Sequence, residues 1–193
     1  MTRWAPGAAG RLHTAAIQLF LEQGFSSTTV PQIAERAGLT TRSFFRYYAD
    51  KREVLFAGED ELPDVVVQIF QNADPKLSPM EVIHSGLKNV VIPRLERSRE
   101  EFLVRRAILS SDEGLQEREL RKLAILHRAA TAAFARRGLS PLDANIAGRL
   151  AVTVYDTTLE LWLADDIERP MVAILDNVVH ALGHVASSST VGR

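Results

Sequence analysis

Four places along this chain carry one helix-start signature, and they constrain the fold more than any other feature of the sequence. They are Thr29-Val30-Pro31-Gln32, Asp50-Lys51-Arg52-Glu53, Ser78-Pro79-Met80-Glu81 and Ser140-Pro141-Leu142-Asp143. In each, the first side-chain oxygen can accept from the amide three residues on, while the later acid or amide reaches back. Two orphan donors of a helix start are thereby satisfied together. Pro79 and Pro141 fall at the first helical position, where a missing N–H is harmless. Stops are as legible: Gly24, Gly38 and Gly138, the last behind Arg136-Arg137, which sets cations at the negative end of a helix. Apolar residues between these signals recur at close to 3.6, and no segment alternates with period two between hairpin turns. The chain therefore reads as all-α, with about nine helices near 8–23, 30–37, 41–48, 51–71, 79–97, 99–111, 115–137, 141–164 and 169–186. Residues 71–78 form its one linker-like stretch, and a disordered tail is expected over Ser187-Ser188-Ser189-Thr190.

At 193 residues and 46% hydrophobic, the chain has apolar surface enough for a sizeable core, in one large domain or two small ones. Zero cysteines exclude a disulfide scaffold, a cysteine nucleophile and thiolate metal sites, and fit a cytoplasmic protein. No apolar run follows Arg3 as in a secretory signal, and none approaches a membrane span. The formal net charge of −1 hides an asymmetry: residues 1–57 carry +3 and the remainder −4.

The most informative segment is Ile33-Ala34-Glu35-Arg36-Ala37-Gly38-Leu39-Thr40-Thr41-Arg42-Ser43-Phe44-Phe45-Arg46-Tyr47-Tyr48. Two short helices broken by a glycine turn are helix-turn-helix grammar. Ala34 suits a close crossing, Leu39 fills the angle, and Ile33, Phe44 and Tyr48 close a small core with Leu19 and Phe20. Thr40 caps the second helix, whose leading turn can enter a major groove with its N-terminus toward phosphate. Phe44 and Tyr48, four apart, point inward and leave Arg42, Phe45 and Arg46 on another face, with Thr41 and Ser43 near the leading end. Arg can bridge the two acceptors of guanine, Thr and Ser bond to several base edges, and an apolar group meets the thymine methyl. Tyr47 and Lys51 suit phosphate contacts, which set register without reading sequence. The plainer alternatives are core packing for Phe45 and Tyr47 and a solvated charge for Arg42.

Residues 11–57 closely resemble the DNA-binding domain of bacterial TetR-family transcriptional regulators. The resemblance rests on Arg11, Gly24-Phe25, Thr29-Val30, Ile33-Ala34-Glu35-Arg36-Ala37-Gly38, Phe44-Phe45-Arg46-Tyr47-Tyr48 and Lys51. It implies an all-helical homodimer, with a helix-turn-helix domain over 1–49 and a ligand-binding and dimerisation domain over 50–193. It implies double-stranded palindromic operator DNA as partner and a small-molecule effector, with no cofactor. Carried over residue by residue, its DNA-contacting positions are Thr29, Thr40, Thr41, Arg42, Ser43, Phe45, Arg46, Tyr47 and Lys51. Phe45 stands where the family usually has Tyr, which removes a hydroxyl contact. Tyr47 stands where His is frequent, which keeps a donor without titration near neutral pH. Pro31 deletes one amide that could have met phosphate. Arg42 replaces a commonly small residue and adds a base-reading group.

Beyond residue 57 the periodicity carries the reading. Arg149, Thr153, Asp156 and Glu160 form one polar stripe on an otherwise apolar helix, and Met171, Leu175, Val178, Leu182 and Val185 make a seam on the next. Such helices bury more than one face, which points to a four-helix bundle across a twofold axis. Asp176, His180 and His184 share a face and have metal-ligand chemistry, but the plainer reading is a solvent or dimer-edge stripe with no metal. Pro93 frees the carbonyl of Asn89 and should bend its helix. Candidates to line an apolar ligand cavity are Leu87, Val91, Phe102, Ile108, Leu123, His127, Tyr155 and Leu159, with His127 or Tyr155 as polar anchor. Tyr155 and Trp162 are otherwise plain core.

These features point to a ligand-responsive transcriptional repressor of operator DNA. The alternative is a helical small-molecule-binding or interaction protein whose helix-turn-helix no longer binds DNA. An enzyme finds no support, since the sequence has no phosphate-binding glycine loop, nucleophile elbow or His-Glu metal motif.

Overall fold

The computed structural model describes residues 7–57, 61–164 and 169–187, and among these there is no strand. The helices are α1 (Ala8–Gln23), α2 (Val30–Arg36), α3 (Thr41–Phe45), α4 (Leu62–Asn72), α5 (Pro79–Gly86), α6 (Ile92–Leu95), α7 (Arg99–Leu109), α8 (Glu113–Arg136), α9 (Pro141–Ala164) and α10 (Met171–Ser187). The all-α expectation holds, and the helix count is close to the expected nine because one helix is divided in two. Two capping signatures act in full and a third in part. Thr29 and Gln32 form a full box at α2, Ser78 and Glu81 another at α5, and Ser140 Oγ accepts from the Asp143 amide at α9 (3.2 Å). Gly24, Gly38 and Gly138 take φ of 85°, 65° and 92°, the left-handed conformation that only glycine adopts freely.

Two expected helices are corrected. That over 51–71 starts at Leu62, and residues 51–57 form turns instead. Asp50 does accept from the amides of Arg52 and Glu53 (2.7 and 3.0 Å), but the amides of Leu55 and Phe56 then reach back three residues, to Arg52 and Glu53. Val54, Leu55 and Phe56 are all buried, and three consecutive inward side chains cover more circumference than a one-sided helix offers. The Leu55 carbonyl is taken by Arg105 Nε at 3.1 Å. Residues 58–60 lie outside the described residues. The helix over 79–97 is interrupted by a π-helical turn at Leu87–Val91, in which the Ile92 amide donates five residues back to Leu87. Pro93 has no N–H for Asn89, and a widened turn carries the chain past that gap. The expected tail begins later than read, since Ser187 still belongs to α10; Ser188-Ser189-Thr190 lie outside the described residues.

The chain separates into two compact units, residues 1–60 with 100–121 and residues 61–99 with 122–193. In the first, Leu12, Leu19, Phe20, Ile33, Phe44 and Tyr48 form the core with Ile108 and Leu115 of α7 and α8. The Phe56 ring lies beneath the guanidinium groups of Arg105 and Arg118, at 5.1 and 4.7 Å. Arg118 also pairs with Glu53, and Arg105 with Glu119 at 2.8 Å. In the second unit, Phe134 is fully buried against the edge of Phe70, and Val154, Trp162, Ile174 and Leu175 are buried between α9 and α10. Among the described residues no helix is long and apolar enough to cross a membrane.

Candidate nucleic-acid interface

The site is built on α3, and what fixes it is the pair of residues that look away from it. Phe44 is wholly buried and Tyr48 nearly so, their rings 5.5 Å apart, and the Tyr48 hydroxyl donates to the Ala9 carbonyl at 3.2 Å. Burial holds the Tyr48 phenol above its ordinary pKa. With these side chains fixed, helical spacing turns the residues between them outward. Phe45 is 56% exposed and Tyr47 40%, which removes the core reading for both. Thr40, Arg42, Ser43, Phe45 and Arg46 line one open concavity on the surface, and Thr41 is exposed beside them.

The helix itself is shorter than the 41–48 expected. It ends at Phe45, and the amides of Tyr47 and Tyr48 both converge on the Phe44 carbonyl (2.9 and 3.0 Å), so Arg46 and Tyr47 leave on a tightened turn. There they hold each other: the Arg46 guanidinium lies 4.7 Å over the Tyr47 ring and donates to its hydroxyl. At the leading end Thr40 Oγ1 accepts from the Ser43 amide (3.1 Å) and shares a hydrogen bond with Ser43 Oγ (3.0 Å). Arg42 makes no hydrogen bond or ion pair among the described residues. Arg36, in contrast, is spent on a bidentate pair with Glu22 (2.9 and 2.8 Å), and that bond lowers the Glu22 pKa.

Thr29 is exposed at the start of α2, its hydroxyl donating to Gln32 Oε1 at 2.9 Å. Lys51, for which a phosphate contact is expected, has its donors on the chain itself. Its ammonium donates to the carbonyls of Phe25 (2.7 Å), Ser26 (3.2 Å) and Thr28 (2.7 Å) and lies 4.4 Å over the Phe25 ring. Loss of water around it lowers its pKa. Nothing local in the sequence signals this, because the partners lie more than twenty residues away.

The ligand candidates fall in both units. Ile108 is part of the core of the first, and Phe102 is half-buried in its α7. In the second, Leu159 is buried, while Leu87, Val91, Leu123, His127 and Tyr155 are half-buried. His127 Nε2, Thr131 Oγ1 and Thr158 Oγ1 are buried atoms with no hydrogen-bond partner among the described residues. Trp162 is core, as the plainer reading had it. The face of Asp176, His180 and His184 is exposed, and Asp176 Oδ1 bonds to His84 Nε2 of α5 at 2.7 Å. Among the described residues no three His, Cys, Asp or Glu side chains are grouped to hold a metal.

Comparison with known proteins agrees with this geometry. Residues 12–57 match the model of the family described as bacterial regulatory proteins, tetR family. The HTH-type transcriptional regulator TcmR of Streptomyces glaucescens is 30% identical over 39% of this chain, a match spanning 34% of that relative's length. Among solved structures, Thermus thermophilus FadR, a TetR-family transcriptional repressor in complex with lauroyl-CoA, is similar with a TM-score of 0.60 and 22% identity, over 96% of each chain. A SmeT–triclosan complex is similar with a TM-score of 0.63 and 19% identity, over 90% of each. At those identities the structural likeness concerns the fold, and the family model concerns the segment that carries the α3 surface. Residues 12–57 thus resemble the bacterial regulatory proteins of the tetR family, and the described fold resembles that of solved TetR-family repressors.

Proposed function

We propose that this protein is a cytoplasmic, non-enzymatic, ligand-responsive transcriptional repressor that binds palindromic operator DNA as a homodimer. Residues 1–49 are its DNA-binding domain and 50–193 its ligand-binding and dimerisation domain. The observation that carries the reading is the α3 surface, where Arg42, Phe45, Arg46 and Tyr47 are exposed above a buried Phe44 and Tyr48. Arg42 and Phe45, with Thr41 and Ser43, read base edges; Thr29, Thr40, Arg46 and Tyr47 meet the backbone. A dimer is supported by apolar side chains left exposed on α9 and α10, namely Leu142 (69%), Ile146, Leu161 and Val185 (68%). Two recognition helices must then lie about 34 Å apart to read successive major grooves, and the effector acts by favouring another spacing.

The effector is a small, largely apolar molecule with a polar group. Half-buried Leu87, Val91, Leu123 and Tyr155 support the first part, and the orphan His127 Nε2 the second. Of the neighbours in fold, one is solved with triclosan, which is of that class, and one with lauroyl-CoA, whose lauroyl chain is apolar.

The test is selection of bound duplexes from a randomised pool. The wild type is expected to enrich a palindrome, with affinity falling steeply as salt rises. Arg42→Ala should enrich a sequence relaxed at one position of each half-site. If the wild type enriches nothing, the DNA reading fails and the helix-turn-helix is a relic; if Arg42→Ala enriches an unchanged sequence, Arg42 does not read bases.

A further inference from the structure

We propose that Lys51 acts in DNA binding as a positioning residue, a clamp on the loop before α2, and not as a phosphate contact. The proposal rests on the DNA-binding reading above and assigns this residue a different part in it. The ammonium has three N–H donors, and the three carbonyls of Phe25, Ser26 and Thr28 take them up, with the Phe25 ring against the charge. A phosphate oxygen would have to displace one of these.

The clamped loop is the one that sets α2. Thr28 is buried, and its hydroxyl donates to the Gly24 carbonyl at 2.8 Å. Gln23 Nε2 donates to Thr28 Oγ1 (3.2 Å) and to Gln32 Oε1 (3.3 Å). Gln32 Oε1 also accepts from the Thr29 amide at 2.8 Å, closing the capping box. The residue that caps α2, and that offers its hydroxyl to the DNA backbone, therefore hangs from the segment Lys51 holds. Here the ammonium sits between three carbonyls and the face of the Phe25 ring, and the larger planar guanidinium of an arginine would have to displace that arrangement. Charge alone cannot replace Lys51.

Three variants of the full chain test this: Lys51→Met, Lys51→Arg and Lys51→Met with Thr29→Ala. Binding is read against the duplex selected by the wild type, over a range of salt, and amide exchange over residues 25–32 is read without DNA. A clamp predicts that Lys51→Met and Lys51→Arg both bind roughly tenfold more weakly with an unchanged salt slope. It also predicts faster exchange in the loop, and little further loss on adding Thr29→Ala to Lys51→Met. A phosphate contact predicts that Lys51→Arg binds like the wild type and that Lys51→Met lowers the slope by about 1; either result, or unaltered exchange in Lys51→Met, overturns the proposal. A Lys51→Met chain that fails to fold supports the clamp, and Lys51→Arg then carries the binding arm. If the wild type selects no DNA, the DNA reading falls, while exchange still decides whether Lys51 holds the loop.

Discussion

Gly148 and Gly183 both lie inside helices of the second unit, and replacing each by alanine should move stability in opposite directions. At Gly148 in α9 a Cβ would meet Thr131 Oγ1 at 2.2 Å, the Thr131 amide nitrogen at 3.0 Å and the His127 carbonyl oxygen at 3.2 Å. The hydroxyl can rotate away. The two backbone atoms belong to α8, so relief requires that helix to move. Alanine gains about 1 kcal/mol of helix propensity over glycine, and forced overpacking costs about 1–3 kcal/mol. Because two of the three obstructions are backbone atoms, the upper half of that cost applies, about 2–3 kcal/mol, and the expected net result is a loss of roughly 1–2 kcal/mol. At Gly183 in α10 nothing lies within 4 Å, so only the backbone gain acts, worth roughly 0.5–1 kcal/mol. Urea unfolding followed by far-UV circular dichroism reads both as shifts of the midpoint at constant slope. On a Thr131→Ala background, Gly148→Ala should cost less, because one of its three obstructions is gone. A Gly148→Ala midpoint at or above the wild type, or equal losses at the two glycines, would refute the assigned crossing of α8 and α9.

Three further outcomes follow from the same structure. Phe44→Ala should lose about 3–5 kcal/mol by urea unfolding, and a loss below about 1 kcal/mol would contradict its place in the core. Burial lowers the pKa of His13 below 6.5, so the unfolded chain takes up that proton first. Its contribution to stability is intact above pH 6.5 and declines as pH falls toward the folded pKa; wild type minus His13→Gln, measured across that window, should show this slope. On the proposed homodimer, Leu142→Asp with Val185→Asp should shift the sedimenting species toward monomer at unchanged helix content, and a dimer that both substitutions leave unmoved would place the interface elsewhere.

The parts of the fold legible in the sequence depend on neighbours three or four residues away. Phe44 and Tyr48 are four apart and both face inward even though α3 ends at Phe45, so their burial, and the exposure of Arg42 and Arg46, could be read from the spacing. The capping boxes of α2 and α5 are likewise contained in four residues. Asp50 shows where such reading stops: its carboxylate does begin a turn, but Val54, Leu55 and Phe56 are then all buried and the Leu55 carbonyl accepts from Arg105, fifty residues later. Lys51 marks the same limit, since its donors meet the carbonyls of Phe25, Ser26 and Thr28, more than twenty residues earlier in the chain. The bond between His84 and Asp176 joins residues ninety-two apart, and no pattern within α10 could reveal it. Pro93 was visible as a break in the ladder, but a bend and a π turn both answer it, and the sequence does not choose.

Arg137 gives the segment between α4 and α5 a character its composition conceals. Its guanidinium donates to the carbonyls of Asp74 (2.9 Å), Pro75 (3.2 Å), Leu77 (3.3 Å) and Ala73 (3.5 Å). Rich in small and polar residues, this stretch is where a protein engineer would splice a tag or a protease would be expected to cut. A protease must draw several residues straight through its cleft, and here they are gathered around a single cation just past the end of α8. Nicking at 73–77 therefore waits on the release of Arg137, and its rate measures how often that end of α8 lets go.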